Sequence, residues 1–137
     1  MEVNYVAILV AGIAAMVVGF VYYGPLFGKA WMKIIGATSE HAQSEQAKKE
    51  MLIVTVLQFI VVLFEIYVLA HFIQGWGEAS GIETAVWLYL GFVVPTVAAS
   101  VMWTLHPTKT KFQIFALQAG HHLITLLLAA YILQMWS

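Results

Sequence analysis

The stretch FQIFALQAGHHLITLLLAAYILQM, Phe112 to Met135, decides the fold. It is long enough to cross the roughly 30 Å of a bilayer's hydrocarbon at about 1.5 Å per residue, and it carries no Asp, Glu, Lys or Arg. It does carry Gln118, His121, His122 and Thr125. At about 3.6 residues per turn these four side chains fall within one arc of roughly 100°. They form a polar stripe on an apolar helix, and the functional question is what that stripe faces.

Working outward, three earlier segments have similar apolar length, at about 4–23, 52–72 and 83–105. The 137 residues are 62% hydrophobic and 9% charged, more apolar side chain than a water-soluble domain of this size can hide. The expectation is one all-α domain, a polytopic membrane protein with four transmembrane helices in a bundle. The absence of cysteine excludes disulfides, thiolate nucleophiles and thiolate metal sites. A net charge of −1, with the basic residues scattered as lysines, leaves no electrostatic footprint for nucleic acid.

The first span is read as a permanent helix and not a cleavable signal peptide, because Glu2 precedes it with no basic residue and its apolar run is too long. Ala7, Ala11, Ala15 and Gly19 recur every fourth residue, a ridge of small side chains that lets another helix approach closely. The ridge suits packing within the chain or self-association. Next comes Tyr22-Tyr23-Gly24-Pro25-Leu26-Phe27-Gly28-Lys29-Ala30-Trp31-Met32. Gly24-Pro25 is expected to end the first helix, and Leu26, Phe27, Trp31 and Met32 with Lys29 and Lys33 suit a short helix in the headgroup layer. An interfacial elbow is the plain reading; a gate or lipid site is the functional one. Thr38-Ser39-Glu40 reads as a helix start, and 39–50 as a charged helical stretch that completes the connection 24–51.

At Tyr22, Tyr23, Gly24, Pro25, Phe27, Gly28, Lys29 and Trp31 the chain resembles the DUF1761 family of small membrane proteins, whose hallmark is an aromatic-Tyr-Gly/Ser-Pro-x-Phe-Gly-Lys-x-Trp run after the first span. Gly91-Phe92-Val93-Val94-Pro95 and the Gly120 region extend the similarity. Tyr22 takes the place of a tryptophan, and His121-His122 that of a Gly-Tyr type of pair. The resemblance implies four spans and assigns no chemistry.

In the second span Gln58 and Glu65 are seven residues apart and share a face. Pro95, at the middle of the third span, leaves the Gly91 carbonyl without its helical partner, so a kink is expected there. All six lysines fall in the first and third connections, Lys29, Lys33, Lys48 and Lys49 in one, Lys109 and Lys111 in the other. By the positive-inside rule both termini lie outside, and the inner membrane of a bacterium is the expected location. Trp76, Trp87 and Trp136 then mark the outer interface, and Tyr22, Tyr23, Trp31 and Trp103 the inner one.

Depths counted at about 1.5 Å per residue bring Gln58 level with Gln118, Pro95 level with the histidines, and Glu65 level with Thr125. A carboxylate at mid-bilayer costs roughly 2.5–3.5 kcal/mol, so Glu65 is expected to face the bundle. The expected contacts are Glu65 with Thr125, His122 or His121, and Gln58 with Gln118; a protonated Glu65 donating to the Gly91 carbonyl is the other pairing.

Three function classes follow. A polar core that fixes helix register would make the chain a structural or accessory subunit of a larger membrane complex. A carboxylate beside imidazoles is what proton-linked or small-solute transport requires, and a chain this small would transport as a homo-oligomer. Cofactor chemistry is the third: adjacent His121 and His122 diverge by about 100° and do not share one metal easily, so no cofactor is expected, and axial ligation of a tetrapyrrole is the variant left open. Enzyme chemistry is not expected, because no nucleophile stands beside a base and no two carboxylates share a span.

Overall fold

The computed structural model describes residues 2–36 and 44–136. Among them there is no β-strand, and four helical segments are long and apolar enough to cross a membrane: Tyr5–Leu26, Glu45–Gly75, Gly81–Met102 and Thr108–Met135. The molecule is an all-α integral membrane protein. The proposed helix start at Thr38-Ser39-Glu40 lies outside the described residues.

Within the first span, α1 covers Tyr5–Val21. Asn4 caps it, its side-chain oxygen accepting from the backbone N–H groups of Val6 and Ala7. The sequence expectation that Gly24-Pro25 ends the helix is corrected here. The chain passes the proline in one wider π turn, Tyr22–Leu26, in which the Phe27 N–H reaches back five residues to the Tyr22 carbonyl. Proline removes a donor and crowds the preceding turn; an extra residue per turn relieves both without breaking the rod. The short amphipathic α2, Gly28–Ile35, follows and closes at Gly36, whose φ of 73° is the left-handed conformation that glycine adopts freely.

The second span is one 31-residue helix, α3, Glu45–Gly75, begun by Ser44, which accepts from the Ala47 N–H. It starts before the expected boundary at Leu52 because the charged stretch joins the apolar one without a break. The third span comprises α4, Gly81–Leu88, a second π turn, Tyr89–Val93, and α5, Val94–Met102. The expected irregularity near Pro95 takes the form of a π turn that ends two residues before the proline, with the Val94 N–H donating to the Tyr89 carbonyl five residues back. The fourth span is α6, Thr108–Met135, unbroken over 28 residues.

α6 is the hub, touching every other helix. Its most extensive contact is with α1, where the small-residue ridge is used inside the chain: Ala7, Ala11 and Ala15 are buried against Val62, Ile66, Leu126, Ala129 and Ala130. Gly12 lies beside that ridge, where a methyl group would stand 2.5 Å from the end of the Leu63 side chain, which would have to shift to admit it. Near the termini the spans close tightly. The Asn4 side chain donates to the Trp136 carbonyl, and Gln74 donates to the Glu2 carbonyl, so both chain ends and the α3–α4 loop meet at one end of the bundle. A second, smaller core lies toward the lysine-bearing end, where Val97, Val101 and Ile114 pack with Trp31, Ile34 and Phe115.

Candidate functional site: a polar cleft behind the Tyr-Tyr-Gly-Pro elbow

The two cores leave a gap between them. All four buried residues of α3, Val62, Ile66, Leu69 and Ala70, lie in the half nearer the termini; from Met51 to Val61 the helix is mostly exposed. α5, by contrast, buries Val97 and Val101 into the smaller core. With α3 held at one end only, its lysine-side half stands away from its neighbours and a cleft of about 510 Å³ opens, lined by residues of all four spans.

The fourth-span stripe faces this cleft. Gln118, His121, His122 and Thr125 line it from α6, Thr55 and Gln58 from α3, Thr96 and Ser100 from α5, and Tyr23 from the first π turn. Its polar lining is made of hydroxyls, amides, a phenol and imidazoles, with no lysine or carboxylate among the lining residues. Thr96, Ser100 and Gln58 are exposed, so the cleft is open on that side. At its back, Thr125 is only 5% exposed, and its hydroxyl has no hydrogen-bond partner among the described residues. The Nε2 atom of His121 is likewise buried and unpartnered. A buried polar atom without a partner costs roughly 1–3 kcal/mol, and both of these atoms belong to residues that line the cleft.

His121 is set by the elbow. Its ring lies 5.4 Å from that of Tyr22 and 5.1 Å from that of Tyr23, centroid to centroid. Tyr22 in turn packs on Phe27 at 4.7 Å, and Tyr23 on Trp31 at 5.3 Å. Tyr22 is therefore not an interfacial anchor, as its position in the sequence suggested. It is 6% exposed, and its hydroxyl donates to the Leu117 carbonyl of α6 at 2.7 Å. Two glycines make this approach feasible. A Cβ at Gly120 would stand 2.8 Å from the Tyr22 hydroxyl, and a Cβ at Gly28 would stand 2.7 Å from the Tyr23 carbonyl oxygen. From the other side Tyr89 donates to the Ala119 carbonyl at 2.8 Å, so each π turn sends a tyrosine to the backbone of α6 just before the histidines.

Not every expected pairing forms. Gln58 and Gln118 border the same cleft without a hydrogen bond between them. Glu65 is not among the cleft-lining residues; it is half-buried beside the core of α3, near enough to His122 for their charges to interact, and makes no hydrogen bond to a described residue. The Gly91 carbonyl is not its partner either. Gly91 is itself exposed, on the turn that carries Tyr89. Gly19, the last member of the ridge, borders the cleft with His121 Nε2 3.4 Å from where its Cβ would be. Lys29 is exposed on α2.

Sequence reasoning missed Tyr23, Thr96 and Ser100 as cleft residues, and missed that the elbow motif and the histidine pair form one site. The retrievable signal was a hydroxyl at i and i+4 in the third span, Thr96 and Ser100, on one face of the helix. Among the described residues no group of three or more His, Asp or Glu side chains is placed to hold a metal ion.

This architecture defines a class: a four-span helical membrane protein in which two π turns, one containing Pro25 and one just before Pro95, brace a polar intramembrane cleft. Over residues 6–134 the chain matches the model of the family described as protein of unknown function DUF1761, and it belongs to that family. No curated protein and no solved structure matches the chain.

Proposed function

We propose that the protein binds a small, uncharged, hydrogen-bonding solute in the cleft and passes it across the membrane, with Glu65 and His122 as the groups that couple passage to protons. The observation that carries this reading is the pair of buried, unpartnered atoms, Thr125 Oγ1 and His121 Nε2, in a cleft whose lining residues include no lysine or carboxylate. A polar core serving only to fix helix register would satisfy its own groups, as the Tyr22 and Tyr89 hydroxyls do. That difference favours passage over a purely structural or accessory-subunit role. Nothing in the cleft resembles a nucleophile held by a base, so no enzyme activity is proposed.

The cleft lies in the half of the bundle nearest the lysines, and the lysine distribution supports placing that half at the cytoplasmic face of an inner membrane, with both termini outside. A single chain of four spans is small for a transport path of its own, so passage is proposed to occur in a homo-oligomer.

Proteoliposomes test this. With urea, glycerol or formamide as probe solutes and an internal pH dye, wild-type vesicles should equilibrate at least one probe faster than empty vesicles, with proton movement accompanying it. Glu65→Gln, nearly isosteric, should cut the proton component by about tenfold or more, the loss expected when a proton-carrying group is removed. Wild-type vesicles indistinguishable from empty ones for all probes and for protons would overturn the transport reading in favour of the subunit role.

A further inference from the structure

A second cavity, of about 720 Å³, lies between the third and fourth spans at their lysine-bearing ends. We propose that it holds one acyl chain of an anionic phospholipid, with Lys111 at the lipid's phosphate. The site is independent of the polar cleft and of the function proposed for it.

The chemistry of the two parts differs as a phospholipid's does. Ala98, Val101, Phe112 and Phe115 give the cavity an apolar lining, and its volume is within the range of about 300–1,000 Å³ that ordinary ligand sites occupy. Trp103, 89% exposed, stands at the same cavity, the side chain most at home at headgroup depth. Lys111 is the only charged residue in the lining. Its ammonium group donates to the Met102 carbonyl at 2.7 Å, which fixes it where α5 ends and leaves two N–H bonds for another acceptor. The acceptor is an anion because the lysine's charge is not neutralised among the described residues, where Lys111 forms no ion pair and no acidic residue occurs from Thr84 to Trp136, while the exposed Lys109 adds a second positive charge two residues earlier in the same helix. The first turn of α6 adds to the field, for Pro107 at its N-cap gives no side-chain hydrogen bond to the free backbone N–H groups there. A zwitterionic lipid would fill the groove equally well and gain less from the two lysines.

The test uses the full chain in phosphatidylcholine bilayers doped with phosphatidylglycerol brominated on its acyl chains. Emission from Trp103, taken as the difference between wild type and Trp103→Phe, should be half-quenched at a mole fraction of brominated phosphatidylglycerol at least fivefold lower than of brominated phosphatidylcholine. The preference should shrink as salt is raised, since the attraction is between exposed charges. Lys111→Gln should lower it by roughly fivefold, the factor that corresponds to ~1 kcal/mol per lysine near an anionic surface. Lys111→Arg should keep it, and Lys109→Gln, which leaves the Met102 contact intact, should reduce it even if Lys111→Gln fails to insert. Equal quenching by the two lipids in the wild type would overturn the proposal, as would a preference that neither lysine variant changes.

Discussion

Gly120 has no room for a methyl group as long as the Tyr22 hydroxyl is bonded to Leu117. That single contact joins the elbow to the histidine-bearing helix, and it yields a two-residue prediction. Gly120→Ala should destabilise the protein by about 1–3 kcal/mol, the usual cost of overpacking. Tyr22→Phe should cost ~0.6–1 kcal/mol by removing one intramembrane hydrogen bond. In the double variant the alanine finds the hydroxyl gone, so the two losses should sum to less than their separate values. Denaturant titration of the four proteins in detergent micelles measures the coupling; strict additivity would mean that Tyr22 does not pack on Gly120. The sequence displayed both partners, but not their meeting. Tyr22 follows a transmembrane segment, where tyrosine is at home in the headgroup layer, and only the path of the π turn sends its ring inward.

At the scale of elements, the four spans were readable because hydrocarbon thickness sets their length whatever they pack against. Their ends and irregularities were less so. Pro25 was read as a stop and Pro95 as a kink; Pro25 lies within a π turn and Pro95 follows just after one, because a missing donor can be absorbed by widening one turn when the helix on either side is held by its neighbours. Local sequence reports the missing donor but not the neighbours. The two glycines of the elbow separate the packing demand from mere flexibility. Gly28→Ala puts a methyl group 2.7 Å from a backbone oxygen and should destabilise the protein by about 1–3 kcal/mol, whereas a Cβ at Gly24 meets nothing within 4 Å, so Gly24→Ala should change stability by less than ~0.5 kcal/mol. Thermal unfolding of both variants, followed by circular dichroism, checks the contrast; comparable losses would mean that the elbow requires glycine for its backbone freedom.

On the scale of the whole molecule, the cleft exists because α3 is gripped only toward the termini, by Val62, Ile66, Leu69 and Ala70, while the smaller core closes around α5, α6 and α2. The polar stripe of the fourth span was legible as a 3.6-residue period, and so were its members Gln118, His121, His122 and Thr125. What it faces was not, since depth counting places residues along the membrane normal and says nothing about which helices separate. This is why Glu65, level with Thr125 by depth, was expected as its hydrogen-bond partner, yet lies beside the cleft and forms no such bond.

A polar cleft between splayed helices should be wet, and the chain's lack of cysteine makes this directly measurable. Single replacements Thr55→Cys and Ser100→Cys border the cleft, whereas Phe64→Cys replaces a side chain that is 68% exposed on the outer surface of α3 and belongs to lipid. In membrane vesicles oriented with the lysine-bearing face outward, a water-soluble, membrane-impermeant maleimide should label the two cleft positions and leave position 64 unmodified. Cleft cysteines that stay as unreactive as the one at position 64 would contradict the account.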